Sequence, residues 1–134
     1  MKKIYETQTE NTGGREGKVY SPDHSFEHVV TSPGKRVPTA TNPEQLFAAA
    51  YSSCFNGALE IVMDAEKDVH PSIVKARVSL FADDVEGFHV EVVLEVHIDG
   101  VSEDRAKELA EKADQVCPYS KATRNNIPVE IKIV

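Results

Sequence analysis

Cys54 and Cys117 are the side chains whose placement in this chain points to covalent chemistry. Cys54 lies in an apolar run, LFAAAYSSCFNGAL, with no charged residue between Glu44 and Glu60. Cys117 stands directly before Pro118 in QVCPYSKATRNN, where one helix should end and another begin. The thiolate is the reactive form of cysteine, so a functional thiol needs a cation, a base or a helix N-terminus beside it. The backbone N–H groups after Pro118 offer Cys117 such a partner. Cys54 sits more than two turns inside its helix, beyond the reach of the helix dipole. It needs an arginine brought in from elsewhere, and Arg15, flanked by Gly13, Gly14 and Gly17 on a flexible loop, is the best placed. Two inert thiols buried as small apolar fillers are the competing reading.

Glu44 precedes Cys54 by ten residues, which is about 15 Å along one helix and well off its face. It cannot touch the Cys54 of its own continuous helix. Antiparallel copies of the helix across a two-fold axis would instead bring Glu44 close to the thiol of a neighbouring chain. Taken alone, Glu44 is an ordinary first-turn acid favoured by the dipole. The histidines carry less: His24 and His28 are expected on one strand face, and His89 and His97 on the exposed side of another. No set of three or four ligands converges at metal-binding spacing, so no metal is expected. No phosphate-cradling glycine loop and no nucleophile elbow is present. Tyr119 and Ser120 read as packing and capping residues.

The elements that must position these residues follow from local pattern. Residues 3–10 and 17–31 read as strands, the second strongest at Ser25–Val30, where aromatic and β-branched residues dominate. Asn42, Pro43, Glu44 and Gln45 open a helix that should run to about Lys67. Its first half is apolar nearly all round, so it should be buried on all faces, with a sheet on one side and a second chain on the other. Alternation at Val74–Leu80 and Val90–Ile98 predicts a hairpin turning at Asp83–Gly87, with Lys75 and Arg77 facing Glu91 and Glu95. Ser102 opens a second helix to about Gln115, Cys117-Pro118 starts a short third, and Pro128–Val134 closes as a strand. This order is α+β.

At 134 residues the chain reads as a single domain, 1–134, with the ordinary 40% hydrophobic content of a soluble globular protein. The net charge of −7 argues against nucleic acid and anionic membrane as partners. No apolar run is expected to span a membrane, and MKKIYETQTE lacks the apolar core of a secretory signal, so a cytoplasmic location is expected. Two cysteines in such a chain suit a transient redox pair better than a disulfide scaffold.

Three segments resemble one family. NPEQLFAA followed by CFNGAL (42–49 and 54–59) resembles the peroxidatic helix of the organic hydroperoxide resistance proteins, the Ohr branch of the OsmC/Ohr superfamily. VCPYSKATR (116–124) resembles their second-cysteine motif, and Gly13-Gly14-Arg15 their arginine loop. The similarity covers essentially the whole chain. It implies an OsmC-like fold, antiparallel sheets around a long central buried helix, in an intertwined homodimer. It also implies a lipoyl-dependent thiol peroxidase. Cys54 would attack an organic hydroperoxide and become a sulfenic acid, and Cys117 would resolve it as a disulfide. Arg15 would stabilise the thiolate and the peroxide, and Glu44, from the other subunit, would orient Arg15. No bound cofactor is implied; the reductant would be the dihydrolipoyl group of a lipoylated partner protein. Phe47, Phe55 and Met63 are the apolar side chains that would favour alkyl or fatty-acid hydroperoxides. Ala50 and Asn125 stand where the family commonly has glycine, and the loop Gly34–Pro38 is more charged than usual. A non-catalytic small-molecule-binding module and a thiol redox sensor are the alternatives on the same fold.

Overall fold

A computed structural model describes residues 1–35 and 37–134, so Arg36 of the 34–38 loop lies outside the described residues. The chain forms two compact units, Met1–Leu46 and Phe47–Val134.

The first unit is a small antiparallel sheet of β1 (Glu10–Thr12), β2 (Gly17–Tyr20) and β3 (Glu27–Val30), in that order. Two sequence expectations change here. Residues 3–9 form no strand, because their alternation carries no apolar face to bury. The 17–31 segment is two strands, broken where Asp23 accepts hydrogen bonds from the Ser21 and Ser25 hydroxyls and the Ser25 N–H. That turn holds His24 at φ 58°, so His24 does not share a strand face with His28. Val30 pairs with Gly17 and also bridges in parallel to Thr41. The chain thus returns to the sheet immediately before α1 (Pro43–Ala65). Asn42 caps that helix as expected, its Oδ1 accepting the Gln45 N–H at 2.8 Å.

The second unit holds β4 (Ser72–Asp83), β5 (Gly87–Ile98), α2 (Glu103–Val116), α3 (Pro118–Thr123) and β6 (Val129–Ile133), together with most of α1. The long hairpin forms in the expected register, turning over Asp83–Gly87, with Lys75 opposite Glu95 and Ser79 opposite Glu91. Arg77 pairs with Glu95. β6 joins β5 in parallel, so the sheet is mixed rather than wholly antiparallel. The cause is connectivity: α2 and α3 carry the chain back across the sheet, a crossover that only a parallel strand needs.

One face of this sheet (Val92, Leu94, Val96, Ile98) packs with α1 (Tyr51, Phe55, Leu59, Met63) and α2 (Ala106, Leu109, Ala110, Ala113) into one core. The α1 positions recur every four residues, a single stripe. The remaining faces of α1 are not buried in one chain: Ala49, Ser53 and Glu60 are exposed, and Ile61 is 62% exposed. The expectation that no apolar run could span a membrane is also corrected. α1 has 23 residues and an 18-residue window of mean hydropathy 1.3, enough by length and composition. Its Tyr51, Phe55, Leu59 and Met63 are nonetheless fully buried in the core of the second unit.

Ser102 starts α2 as expected, its hydroxyl accepting the Arg105 N–H at 3.1 Å. Arg105 also pairs with Glu66, Asp68 and Glu108, fastening the start of α2 to the residues that follow α1. These pairs are partly exposed and individually weak. The cap matters more: Ser102→Ala should lower stability by about 1 kcal/mol in chemical denaturation, with an unchanged denaturant slope.

Candidate active site

Arg15 owes its position to a turn that only glycines can make. Gly13 and Gly14 have φ of 79° and 60°, and a Cβ on Gly17 would lie 1.8 Å from the Thr12 carbonyl oxygen. Asn11 cinches the turn, its side chain donating to the Gly14 and Lys18 carbonyls and accepting the Gly14 N–H. The glycines therefore serve a tight closure rather than a mobile loop. From this turn Arg15 makes a two-pronged pair with Glu44, Nη1–Oε2 at 2.8 Å and Nη2–Oε1 at 2.7 Å. The fork closes inside one chain, where the sequence expectation had Glu44 reaching Arg15 from the other subunit. The return of residue 41 to Val30, which itself pairs with Gly17, brings the first turn of α1 beside the arginine turn. The hydrogen bonds from Arg15 hold the Glu44 carboxyl below its usual range and raise the guanidinium further. Planar two-point pairing fixes both the place and the orientation of the guanidinium.

In the second unit the two sulfurs meet, Cys54 Sγ lying 3.6 Å from Cys117 Sγ. Both are free thiols, Cys54 half-buried and Cys117 fully buried. Cys117 occupies the junction of two helices. Its N–H bonds to the Ala113 carbonyl as the last bond of α2, and its carbonyl accepts the Lys121 N–H of α3. Pro118 takes the first position of α3, where its missing N–H costs nothing. Burial pushes the Cys54 thiol up, a backbone hydrogen bond from Tyr119 pulls it down, and the neighbouring Cys117 raises it again. The downward pull from the Tyr119 backbone, just after Pro118, thus falls on Cys54, a thiol with no local partner in its own helix.

Sequence reasoning also missed Tyr51. Its phenol meets Ser120 Oγ at 3.0 Å and Thr123 Oγ1 at 3.1 Å, all three groups buried. The three-residue spacing of Tyr51 from Cys54, and of Ser120 from Cys117, was the available signal. Tyr119 packs edge-on against the same ring. Of the apolar side chains expected to line a substrate pocket, Phe55 and Met63 are core residues with no exposure. Only Phe47, half-buried and edge-on to Tyr51, remains near the surface. Asn125 has φ 60°, so the glycine common there is replaced by a residue that tolerates left-handed backbone.

Among the described residues one mixed acidic and histidine group forms elsewhere: Asp83, Glu86 and His89, with ligand atoms within 4.8 Å of one another. Asp83 Oδ1 there already accepts the Val85 and Glu86 N–H groups of the hairpin turn.

Residues 33–132 match the family model described as OsmC-like protein. The organic hydroperoxide resistance protein OhrA of Bacillus subtilis is 46% identical over 126 residues, spanning 90% of this chain and 89% of that protein. Organic hydroperoxide resistance protein-like 2 of Staphylococcus epidermidis is 41% identical over 136 residues, spanning 97% and 95%. The crystal structure of OhrB of Bacillus subtilis superimposes with a TM-score of 0.91 at 36% identity, covering 98% of this chain and all of that one. Fold, motifs and relatives agree, and the chain belongs to the OsmC-like family, in its organic hydroperoxide resistance branch.

Proposed function

We propose that the protein is a thiol peroxidase that reduces organic hydroperoxides to alcohols and is recycled by the dihydrolipoyl group of a partner protein. The observation that carries this reading is the 3.6 Å approach of two free thiols, in a chain whose relatives are named for organic hydroperoxide resistance. In the proposed cycle the Cys54 thiolate attacks the distal peroxide oxygen. An S–O bond forms, the O–O bond breaks, and the alkoxide leaves as the alcohol after taking a proton. The Cys117 thiolate then attacks the sulfur of the resulting sulfenic acid, releasing water and closing a disulfide. A dihydrolipoyl dithiol takes that disulfide back to two thiols, becoming oxidised itself. Arg15, oriented by Glu44, supplies the positive charge that stabilises the Cys54 thiolate and the developing alkoxide.

A homodimer belongs to the same proposal. Ile61 on α1 and Phe88 on the hairpin are 62% and 82% exposed, apolar surface that a second copy would cover.

The test mixes reduced protein with a limiting alkyl hydroperoxide or with hydrogen peroxide, following thiol loss and disulfide mass over time. The alkyl substrate should oxidise the protein at least about tenfold faster, the discrimination that burial of one or two methylenes provides. Slow oxidation without organic preference would sink the peroxidase reading.

A further inference from the structure

Two rungs cross from α1 to α3, one helical turn apart. One is the sulfur pair, Cys54 with Cys117 at 3.6 Å. The other is the hydroxyl group of Tyr51 with Ser120 at 3.0 Å and Thr123 at 3.1 Å. Tyr51 precedes Cys54 by three residues on α1, and Ser120 follows Cys117 by three on α3. Residues so spaced lie on one face of a helix, about 5–6 Å apart. The two rungs therefore fix the same pair of elements.

We propose that Tyr51 is a positioning residue for the resolving cysteine: its hydroxyl rung sets the spacing of α3 from α1, and thereby holds Cys117 at attack distance from Cys54. α3 is six residues long, too short to be stable by itself, so its place depends on such contacts. The phenol is fully buried and Ser120 is 2% exposed, so this rung works without competition from water. Reacting atoms held near 3–3.5 Å behave as an effectively unimolecular pair. Rotation of the two cysteine side chains covers the rest of the way to a bond of about 2.05 Å, while the hydroxyl rung stays made.

The inference concerns the same thiol pair as the peroxidase reading, but its test uses no hydroperoxide. The reduced protein is equilibrated with mixtures of reduced and oxidised dithiothreitol. Oxidised dithiothreitol accepts two electrons and two protons from the thiols and leaves as the dithiol, as the Cys54–Cys117 bond forms. Thiol labelling read by mass gives the equilibrium constant for closure. Tyr51→Phe, which removes both hydrogen bonds and keeps the ring, should lower that constant about tenfold. Tenfold is about 30 mV towards a less negative potential. Ser120→Ala, which leaves Thr123 to the phenol, should lower it about threefold. The double variant should fall no further than Tyr51→Phe alone, because both changes remove one device.

A core residue without a positioning role would lower the melting temperature of the reduced protein and leave the closure constant unchanged. That result, a tightened disulfide, or simple additivity would each overturn the inference. Should Tyr51→Phe fail to fold, Ser120→Ala decides alone, an unchanged constant being the refutation. A wild-type protein that closes its disulfide in this buffer but ignores hydroperoxides would end the peroxidase reading and leave the positioning role standing.

Discussion

Cys54→Ser should reduce hydroperoxide consumption to the uncatalysed background, whereas Cys117→Ser should complete one turnover and stop at the sulfenic acid. A serine hydroxyl at position 54 has no charged side chain of its helix nearer in sequence than Glu44 and Glu60 to activate it, and it lacks the soft nucleophilicity that attacks the O–O bond. At position 117 the change acts one step later. Cys54 still opens the peroxide, but no second sulfur waits 3.6 Å away to expel water from the sulfenic acid. A dimedone adduct on Cys54, detected by mass in Cys117→Ser and absent from the wild type, is the expected signature. Steady-state turnover in that variant should fall to whatever rate external thiol reduces the sulfenic acid. The opposite pattern would exchange the roles of the two cysteines. The exposure of the pair gives an independent reason for the order proposed. Cys54 is half-buried and open to a substrate, while Cys117 is fully buried and open mainly to Cys54.

The readable parts of this chain were those set by periodicity and capping. The hairpin with Lys75 opposite Glu95, the Asn42 and Ser102 caps, and Pro118 at a helix start all depend on neighbours in sequence or on one strand partner. What sequence left unread depended on contacts between distant segments. The parallel pairing of β6 is one, because a short strand's pattern is the same in either direction. The own-chain fork of Arg15 and Glu44 is another, set by a bridge between residues 30 and 41 that no local pattern announces. The glycines of the arginine turn were recognised as permissive, but the permission is used for positive φ and a close approach to Thr12 rather than for motion. Local reasoning about Pro118 gave the backbone after it to Cys117, whereas the pull of the Tyr119 backbone falls on Cys54. α3 meets α1 at Cys54–Cys117 and at Tyr51–Ser120, and no property of residues 117–120 alone says so.

Arg15→Ala should slow oxidation of Cys54 at pH 7 by on the order of 10²-fold and move the pH dependence of that step upward. The direction follows from the state of the thiol. Burial pushes Cys54 up from its ordinary value, which outweighs the pull from the Tyr119 N–H. A raised thiol is protonated at neutral pH, so its rate of attack grows as pH rises through its titration. In the proposed role the Arg15 guanidinium favours the charged form of Cys54, so its loss should shift the midpoint to higher pH. At a pH above both midpoints the thiolate fraction is the same in wild type and variant. Any difference left there measures how far Arg15 orients the peroxide and stabilises the leaving alkoxide, separately from ionisation. Glu44→Gln divides the arginine's role further. It keeps one acceptor for the fork while removing the charge that Arg15 pairs with through both Nη atoms. The guanidinium then stays positive but is less firmly aimed, so Glu44→Gln should lower the rate at high pH while moving the midpoint less than Arg15→Ala does. Stopped-flow measurement of the first oxidation across pH 5–10 reads both quantities. Superimposable profiles for wild type and Arg15→Ala would remove the arginine from the mechanism.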